Sequence, residues 1–440
     1  MNSRHLQFLI QPRIFTIPAA IWCFVAAALA QNPADSSTPA PAATLTIETL
    51  VRQVQAGNPE LDFYRAEIAA ARAGRKSATR WDNPEISAEL GSKKVWERSG
   101  PALGEGAAWS VSLAQPFEWP GRIPLRKAIA NRQIEIAELG LQQFQAALAA
   151  RTRSLGHAVL AAREKADAVQ EVAARYRALL AVVVQRDAAG VTPLLEQRIL
   201  EASTIALSRR AADAEREVQA ALLELNQLRG QPANAPLRLT GQLTVTTNLA
   251  PLSRLLEVAA TNNFEIRTKQ VELAQQGFHV RLARHERYPR VTVSPYYSQE
   301  RAADEERIFG LGVSLPLPLW NQNQGNIETA TAREQQAEAS LRMVMRDVER
   351  AVADHALALE TKLAEMARWR PEVEAQLRDA AELADRHYRL GAVPVATYLE
   401  MQNQYLDALG ALLDTRREVL EHRQKLELLL GEPLDSVGGR

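Results

Sequence analysis

The sequence has almost no cysteine, few aromatic residues and no excess of charge of either sign. Its 440 residues include one cysteine, Cys23, which excludes a disulfide framework, and seven scattered histidines offer no zinc cluster. Lys and Arg total 52, as do Asp and Glu, so the chain lacks the basic character of a nucleic-acid-binding protein. Aromatic residues make up only 5%, which favours closely packed helices over a conventional globular core.

Motifs of the common enzyme classes are also missing from the sequence. It contains no glycine-rich phosphate loop and no nucleophile elbow. Six histidines lack the spacing of metal ligands, such as two histidines four residues apart on a helix: His157, His279, His285, His355, His387 and His422. The sequence therefore predicts no enzyme, no cofactor and no metal site.

The N-terminus has the pattern of a secretory signal peptide. Two arginines precede the apolar run Ile14–Leu29, and cleavage is expected before Gln31. A membrane anchor is the alternative, but the run is short and contains Pro18. We expect a signal peptide over residues 1–30 and a flexible leader, rich in Pro, Ala and Ser, over residues 31–44.

The rest of the chain is a tandem duplication. Five landmarks recur in the same order at offsets of 201 to 205 residues: Asn58-Pro59-Glu60 with Asn263-Phe264-Glu265, Pro84 with Pro289, Val111-Ser112-Leu113 with Val313-Ser314-Leu315, Gly190 with Gly391, and Gly230 with Gly431. We expect a first structural repeat over residues 45–240, a second over 241–433 and a tail over 434–440.

Each repeat contains two predicted strands of about ten residues, the length that a tilted membrane-spanning strand needs. They are Glu85–Val95, Ala107–Phe117, Arg290–Gln299 and Ile308–Leu317. Bulky apolar residues alternate with small or polar ones, so that Trp109, Val111 and Leu113 share one face of the second strand. A half-buried sheet in a soluble domain would give the same alternation.

Aromatic residues flank these strands. If each strand pair is a hairpin, five rings fall at the same end of the sheet: Trp81, Phe117, Trp119, Tyr288 and Trp320. Trp and Tyr prefer the lipid headgroup layer, so we interpret them as a girdle at the membrane interface. Two hairpins cannot close a barrel, and open strand edges are not tolerated in lipid. The strands must therefore be shared among subunits.

The predicted helices are too long for a globular domain. One runs over Ala128–Ala189 and its counterpart over Ile327–Leu390, where Pro371 should introduce a kink. A return helix completes each hairpin, Pro193–Arg229 in the first repeat (hairpin 128–229) and Pro394–Leu430 in the second (hairpin 327–430). Apolar residues recur every seven residues, which is typical of a coiled coil: Ile134, Leu141, Leu148, Leu155, Ala162, Val169, Tyr176 and Val183, and later Tyr398, Tyr405, Leu412, Val419 and Leu426.

With these features the sequence resembles the TolC-like outer-membrane efflux protein family of Gram-negative bacteria. The duplication carries the resemblance, together with Gly190-Val191-Thr192-Pro193 and the segment Tyr388–Glu400 (YRLGAVPVATYLE). Within the family, Pro316–Gly325 (PLPLWNQNQG) is most similar to the branch paired with cobalt–zinc–cadmium resistance pumps, the CzcC-like branch.

The resemblance implies a mainly α fold with a small β part. Three copies would form a homotrimer in which four strands per chain close a twelve-stranded β-barrel in outer-membrane lipid, above an α-helical barrel in the periplasm. This passive duct would receive substrates, here divalent heavy-metal cations, from an inner-membrane RND transporter through a periplasmic adaptor. Multidrug efflux and type I protein secretion remain alternatives within the duct class. A periplasmic coiled-coil adaptor or scaffold protein is the alternative from another class.

The resemblance also assigns roles to individual residues. Two turns match the periplasmic tips where adaptor hairpins dock: Gly190, Val191, Thr192 and Pro193, and Gly391, Ala392, Val393 and Pro394. Glu400 matches an acidic position of the constriction, where three copies would attract cations. Asp187 and Glu196 lie near the equivalent place in the first repeat. Ordinary solvated helix faces are the alternative explanation for all three acidic residues. Bonds that hold the closed state between subunits are expected from Arg386, Tyr388 and Arg389, with a packing role as the equal alternative for Tyr388.

Overall fold

The computed structural model describes most of the chain after the N-terminus. It covers residues 44–98, 100–187, 194–245, 248–369 and 372–437, without the side chains of 184–187 and 194. Several predicted features lie outside the described residues: the signal peptide, the leader up to residue 43, the turn at residues 190–193 and the kink at Pro371.

The chain passes through the same succession of elements twice. The first pass comprises β1 (Thr44–Leu45), α1 (Ile47–Gly57), α2 (Glu60–Ala78), β2 (Glu85–Trp96), β3 (Ala102–Phe117), α3 (Arg122–Asp187) and α4 (Leu194–Leu228). The second comprises β4 (Arg238–Leu239), α5 (Leu252–Asn262), α6 (Phe264–His285), β5 (Val291–Arg301), β6 (Glu305–Ser314), α7 (Gln324–Ala367), α8 (Val373–Arg389) and α9 (Val395–Leu430), followed by α10 (Leu434–Val437). The predicted mainly helical fold with a small sheet is confirmed.

The longest helix is α3, whose 66 residues span about 99 Å. It packs along α2, α4, α6 and α9, and five of its eight predicted seam residues are buried: Leu148, Ala162, Val169, Tyr176 and Val183. In α9 all five predicted seam residues are buried. The seven-residue repeat therefore predicted which side of each helix faces its neighbours.

The second repeat does not reproduce this unbroken helix. Helix α7 ends at Ala367, where the N–H groups of Arg368 and Trp369 donate to carbonyls of the preceding turn. The next helix, α8, begins at Val373. Two helices thus stand where the first repeat has one, and Trp369 packs against the α8–α9 core beside the break.

Two short helices were not predicted from the sequence. In α1 the side chain of Thr46 caps the N-terminus, accepting from the Thr49 N–H, and Leu50 and Val54 are buried. Its counterpart α5 buries Leu255 and Val258. Helix α1 packs on α3, and α5 packs on α7. Each has only 11 residues, which is too short for a seven-residue repeat to become visible in the sequence.

An asparagine joins the helices end to end in each repeat. Asn58 Nδ2 donates to the carbonyl of Leu228 at the end of α4 (3.1 Å), while Oδ1 accepts from the Glu60 N–H at the start of α2 (2.9 Å). Asn263 makes the same bonds between the Leu429 carbonyl (2.8 Å) and the first turn of α6. One side chain therefore satisfies polar groups of two helix termini.

The four long strands form one antiparallel sheet in the order β2-β3-β5-β6. Each repeat contributes one hairpin, and the two hairpins meet where β3 pairs with β5, with Val111 opposite Tyr297. Strands β2 and β6 lie at the edges of the sheet. In the part of the chain that the structure describes, no helix has an apolar stretch long enough to cross a membrane.

Candidate functional site

One face of the four-stranded sheet is apolar and exposed. The register aligns Leu90 with Trp109, Val111 with Tyr297, and Tyr297 with Phe309, so their side chains share this face. Leu90 is 89% exposed and Phe309 is 82% exposed. The exposed members are Ile86, Leu90, Trp109, Val111, Leu113, Phe309, Leu311 and Val313. Monomeric soluble proteins rarely leave such a continuous apolar surface uncovered.

Four of the five predicted girdle residues form two ring pairs at one end of this sheet. Trp81 meets Phe117 edge to face, with ring centroids 5.6 Å apart. Trp119 stacks on Tyr288 at 5.1 Å and an interplanar angle of 13°, which links the first repeat to the second. The fifth residue, Trp320, is 94% exposed. The structure thus gathers aromatic rings where the strands meet the helices.

Polar contacts that the sequence did not reveal connect the two repeats at this junction. Arg122, at the start of α3, donates to the carbonyls of His285 and Tyr288. The carboxylate of Glu118 pairs with Arg126 of its own repeat and faces Arg290 of the other, at 3.8 Å. The partners belong to different repeats, so no local motif could have predicted these contacts.

The other face of the sheet carries mainly small and polar side chains and a cluster of three charged residues from β2, β5 and β6. Lys93 Nζ lies 2.8 Å from a carboxylate oxygen of Glu300 and 2.7 Å from one of Glu306. Lys93 is opposite Gly106 in the register, and because glycine has no side chain the lysine can extend across β3. No spacing in the sequence indicates this cluster, since Lys93 and Glu306 are 213 residues apart.

The turn between α8 and α9 contains the predicted second tip. Gly391 has φ +74°, and its N–H donates to the Tyr388 carbonyl (2.8 Å). The Ala392 N–H donates to the His387 carbonyl (2.9 Å), which satisfies the last turn of α8. Pro394 then precedes the first residue of α9. The glycine therefore ends the helix in the left-handed conformation that side chains disfavour.

The residues expected to bond between subunits make contacts within one chain. Arg389 Nε pairs with Asp385 Oδ2 at 2.8 Å, and the ring of Tyr388 stacks on Tyr398 at 5.3 Å. Arg386 is exposed near the end of α8. Tyr398 is fully buried against Tyr176, and burial raises the pKa of both phenols. Tyr388 thus packs α8 on α9, whereas Arg389 pairs within α8.

The acidic candidates differ in their surroundings. Glu400 is exposed in α9 and accepts a hydrogen bond from Gln404 Nε2 at 2.7 Å. Glu196 lies half-buried in the first turn of α4. The side chain of Asp187 lies outside those that the structure describes. Among the described residues, no group of three or more His, Cys, Asp or Glu side chains has the arrangement of a metal site.

Comparison with known families accounts for this architecture. The family described as outer membrane efflux protein matches residues 50–241 and 255–432, and so covers most of both repeats. The chain belongs to the outer membrane efflux protein family. The expected outer-membrane location, with the helical part in the periplasm, is therefore confirmed, as is the expected role in an efflux channel. Channels of this family are trimers that work with a periplasmic adaptor and an inner-membrane RND transporter.

Individual outer membrane efflux proteins resemble the chain over most of its length. The cobalt-zinc-cadmium resistance protein CzcC of Cupriavidus metallidurans is 23% identical over 300 residues, 68% of each chain. The nickel and cobalt resistance protein CnrC of the same organism is 25% identical over 347 residues, which cover 76% of this chain and 75% of CnrC. The solved structure of the outer-membrane channel OprN has the same fold, with a TM-score of 0.71 at 19% identity, covering 88% and 90% of the two chains. Proteins of this kind are channels rather than enzymes.

Proposed function

We propose that this protein is the outer-membrane exit duct of a tripartite system that exports divalent heavy-metal cations. Two relatives named for metal resistance, CzcC and CnrC, align with 68% and 76% of the chain, and both support this substrate class. The observation that carries the duct is the four-stranded sheet, which has an exposed apolar face and two edge strands. The chain itself catalyses no reaction in this proposal.

Three copies close the membrane part of the duct. Neighbouring strands in the sheet are antiparallel throughout, so β6 of one copy can pair with β2 of the next in the same manner. Four strands from each of three copies make twelve. This closure satisfies the backbone N–H and C=O groups of both edges, as the lipid environment requires. The apolar face then meets the lipid, and the aromatic pairs lie at the headgroup level.

The helix turns form the opposite end of the duct in this proposal. Residues 391–394 present one tip on which the adaptor docks, and residues 190–193, which lie outside the described residues, are its proposed counterpart from the sequence repeat alone. Glu400 is exposed one turn beyond the start of α9, so three copies supply an acidic ring that attracts cations. The nearby carboxylate of Asp385 is already paired with Arg389 at the end of α8, so it adds little to this ring.

The substrate class is tested by metal tolerance. A host that lacks its own metal exporters should tolerate more Co²⁺, Zn²⁺, Cd²⁺ or Ni²⁺ when it produces this protein with its neighbouring adaptor and pump. The same host without the outer-membrane protein is the matched control. Unchanged metal tolerance together with increased resistance to organic drugs, or with secretion of a protein, would reject metals in favour of that substrate.

Barrel closure is tested by cysteine cross-linking, since the only cysteine of the sequence, Cys23, lies in the expected signal peptide. Leu90→Cys on β2 is combined in turn with a cysteine at Arg307, Phe309, Leu311 or Val313 of β6, all on the same face. We expect one combination to give a covalent trimer after oxidation in membranes. Each single variant should stay monomeric on a denaturing gel, and a monomer in every combination would contradict the closure.

A further inference from the structure

Two histidines meet between α7 and α9. His355 Nδ1 and His422 Nδ1 are 3.2 Å apart, and the ring centroids are 5.4 Å apart. Both side chains are half-buried, so water and dissolved ions can reach them. The two residues are 67 positions apart in the sequence. No spacing rule within one helix could therefore have paired them.

The pair occupies one layer of the seam between the two helices. His355 follows Val352 by three residues and precedes Leu359 by four, and His422 has the same spacing from Val419 and Leu426. These four neighbours are buried, with exposures of 3% or less. A coiled-coil seam normally continues with an apolar residue at this position. At an offset of 201 residues the first repeat has Ser154 and Ala221 instead, neither of which is a metal ligand.

The separation of the two nitrogens suits a shared cation. Metal–nitrogen bonds of about 2.0–2.1 Å at a tetrahedral angle place two imidazole nitrogens about 3.3 Å apart. The observed 3.2 Å is close to that value. Without a metal, one ring must donate from Nδ1 to the other. On binding, that proton moves through solvent to Nε2 of the same ring, which leaves both Nδ1 lone pairs on the cation.

The surroundings limit the number of protein ligands to two. Asp354 and Glu421 lie close enough to influence His355 electrostatically, as does Lys425, but Glu421 is already paired with Lys425 at 2.6 Å. Among the described residues no third side chain completes a cluster. The remaining coordination positions fall to water, so a bound ion can exchange. Imidazole ligands favour Zn²⁺, Cu²⁺, Ni²⁺ and Co²⁺ over Mg²⁺ or Ca²⁺.

We propose that His355 and His422 form a two-histidine site for a divalent transition-metal ion on the helical wall of the duct. The site binds reversibly and holds one ion per chain. Its contribution to export rests on the proposed function, whereas the binding itself does not.

Direct binding tests the site. The tag-free trimer in detergent is titrated with Co²⁺, followed by absorbance, and then with Zn²⁺ as competitor. We expect one equivalent per chain and a loss of affinity of about tenfold or more in His355→Ala and in His422→Ala, because removing even an indirect ligand partner costs about 10–100-fold. The double variant has neither imidazole ligand and should show no saturable Co²⁺ binding. His387→Ala, at an exposed histidine of α8, is the matched control and should bind as the original chain does.

Two results would overturn the site: no saturable Co²⁺ binding by the original trimer, or binding that survives in the double variant. The pair would then be a hydrogen-bonded pair only. Trimer content and circular dichroism establish that each variant is folded.

Metal tolerance in cells separates the proposed metal site from the proposed export function. Tolerance without binding rejects the site and keeps the exporter, while binding without tolerance keeps the site and rejects the substrate class.

Discussion

At the scale of single residues, Gly106 shows how closely the two repeats approach each other in the sheet. A Cβ atom at this position would lie 1.7 Å from the backbone oxygen of Arg301. The missing side chain also leaves the path along which Lys93 reaches Glu300 and Glu306. Backbone contact and ion pair thus depend on the same glycine.

Gly106→Ala should weaken the trimer. The backbone of β5 must move to make room for the methyl group, at a cost of roughly 1–3 kcal/mol per chain. The measurement is the temperature at which the purified trimer dissociates in detergent. Gly91→Ala is the matched control, because Gly91 lies in the neighbouring strand and a Cβ there would meet no atom within 4 Å. Equal dissociation temperatures for the two variants would contradict the close approach.

Individual residues could be predicted from the sequence only where a local rule applies. Gly391 follows a long helix and precedes a proline, and it does take the left-handed conformation. Lys93, Glu300 and Glu306 come from three strands, and His355 and His422 from two helices. Their proximity follows from the tertiary packing, so no spacing in the sequence indicates it.

At the scale of elements, the end-to-end joints between short helices depend on two asparagine side chains. Asn58 and Asn263 are 5% and 4% exposed, and each bonds the end of one helix and the start of another. Beside each joint a glycine with positive φ ends the preceding helix, Gly230 in one repeat and Gly431 in the other. The joint is therefore built in the same way twice.

Asn58→Ala should destabilise the first repeat by about 1–3 kcal/mol, because a buried carbonyl at Leu228 loses its donor. Asn58→Asp keeps the acceptor for the Glu60 N–H but loses the donor, so the loss should persist. Thermal unfolding followed by circular dichroism measures both effects. Asn403→Ala, at an exposed position of α9, is the control. An Asn58→Ala protein as stable as this control would refute the bridging role.

The elements themselves could be predicted wherever a repeat was long enough to recognise. The alternation in the strands indicated the correct element type and the apolar face of the sheet, and the seven-residue spacing indicated the helices and the buried sides of α3 and α9. Helices α1 and α5, with 11 residues each, could not be recognised in this way. Helix α7 ends at Ala367 and α8 begins at Val373, where the sequence indicated one helix over Ile327–Leu390, while the predicted kink at Pro371 lies outside the described residues.

At the scale of the whole molecule, the charge of Glu400 at the end of the proposed duct should govern which ions enter. Glu400→Ala should lower cation conductance of the trimer in planar bilayers, because three negative charges are lost in the proposed assembly. The effect should be large at 0.1 M salt and small at 1 M, since the screening length falls from about 10 Å to about 3 Å.

Glu360→Ala removes an exposed carboxylate of α7 and is the control for Glu400→Ala. If both variants conduct like the original protein at low salt, Glu400 does not line the entrance. The sequence suggested Glu400 only through its resemblance to the family. Whether three copies of Glu400 come close together depends on the arrangement of the three subunits, which the sequence of one chain does not reveal.

The pairing of β3 with β5 bears on how such a duct could arise. In the proposed trimer this contact inside one chain is equivalent to the contact of β6 with β2 of the next copy. An ancestor of half the length would need six copies to enclose the same circumference. Fusion of two halves into one chain reduces the number of subunits to three. It also allows the two halves to diverge in sequence, as the histidine pair of the second half illustrates.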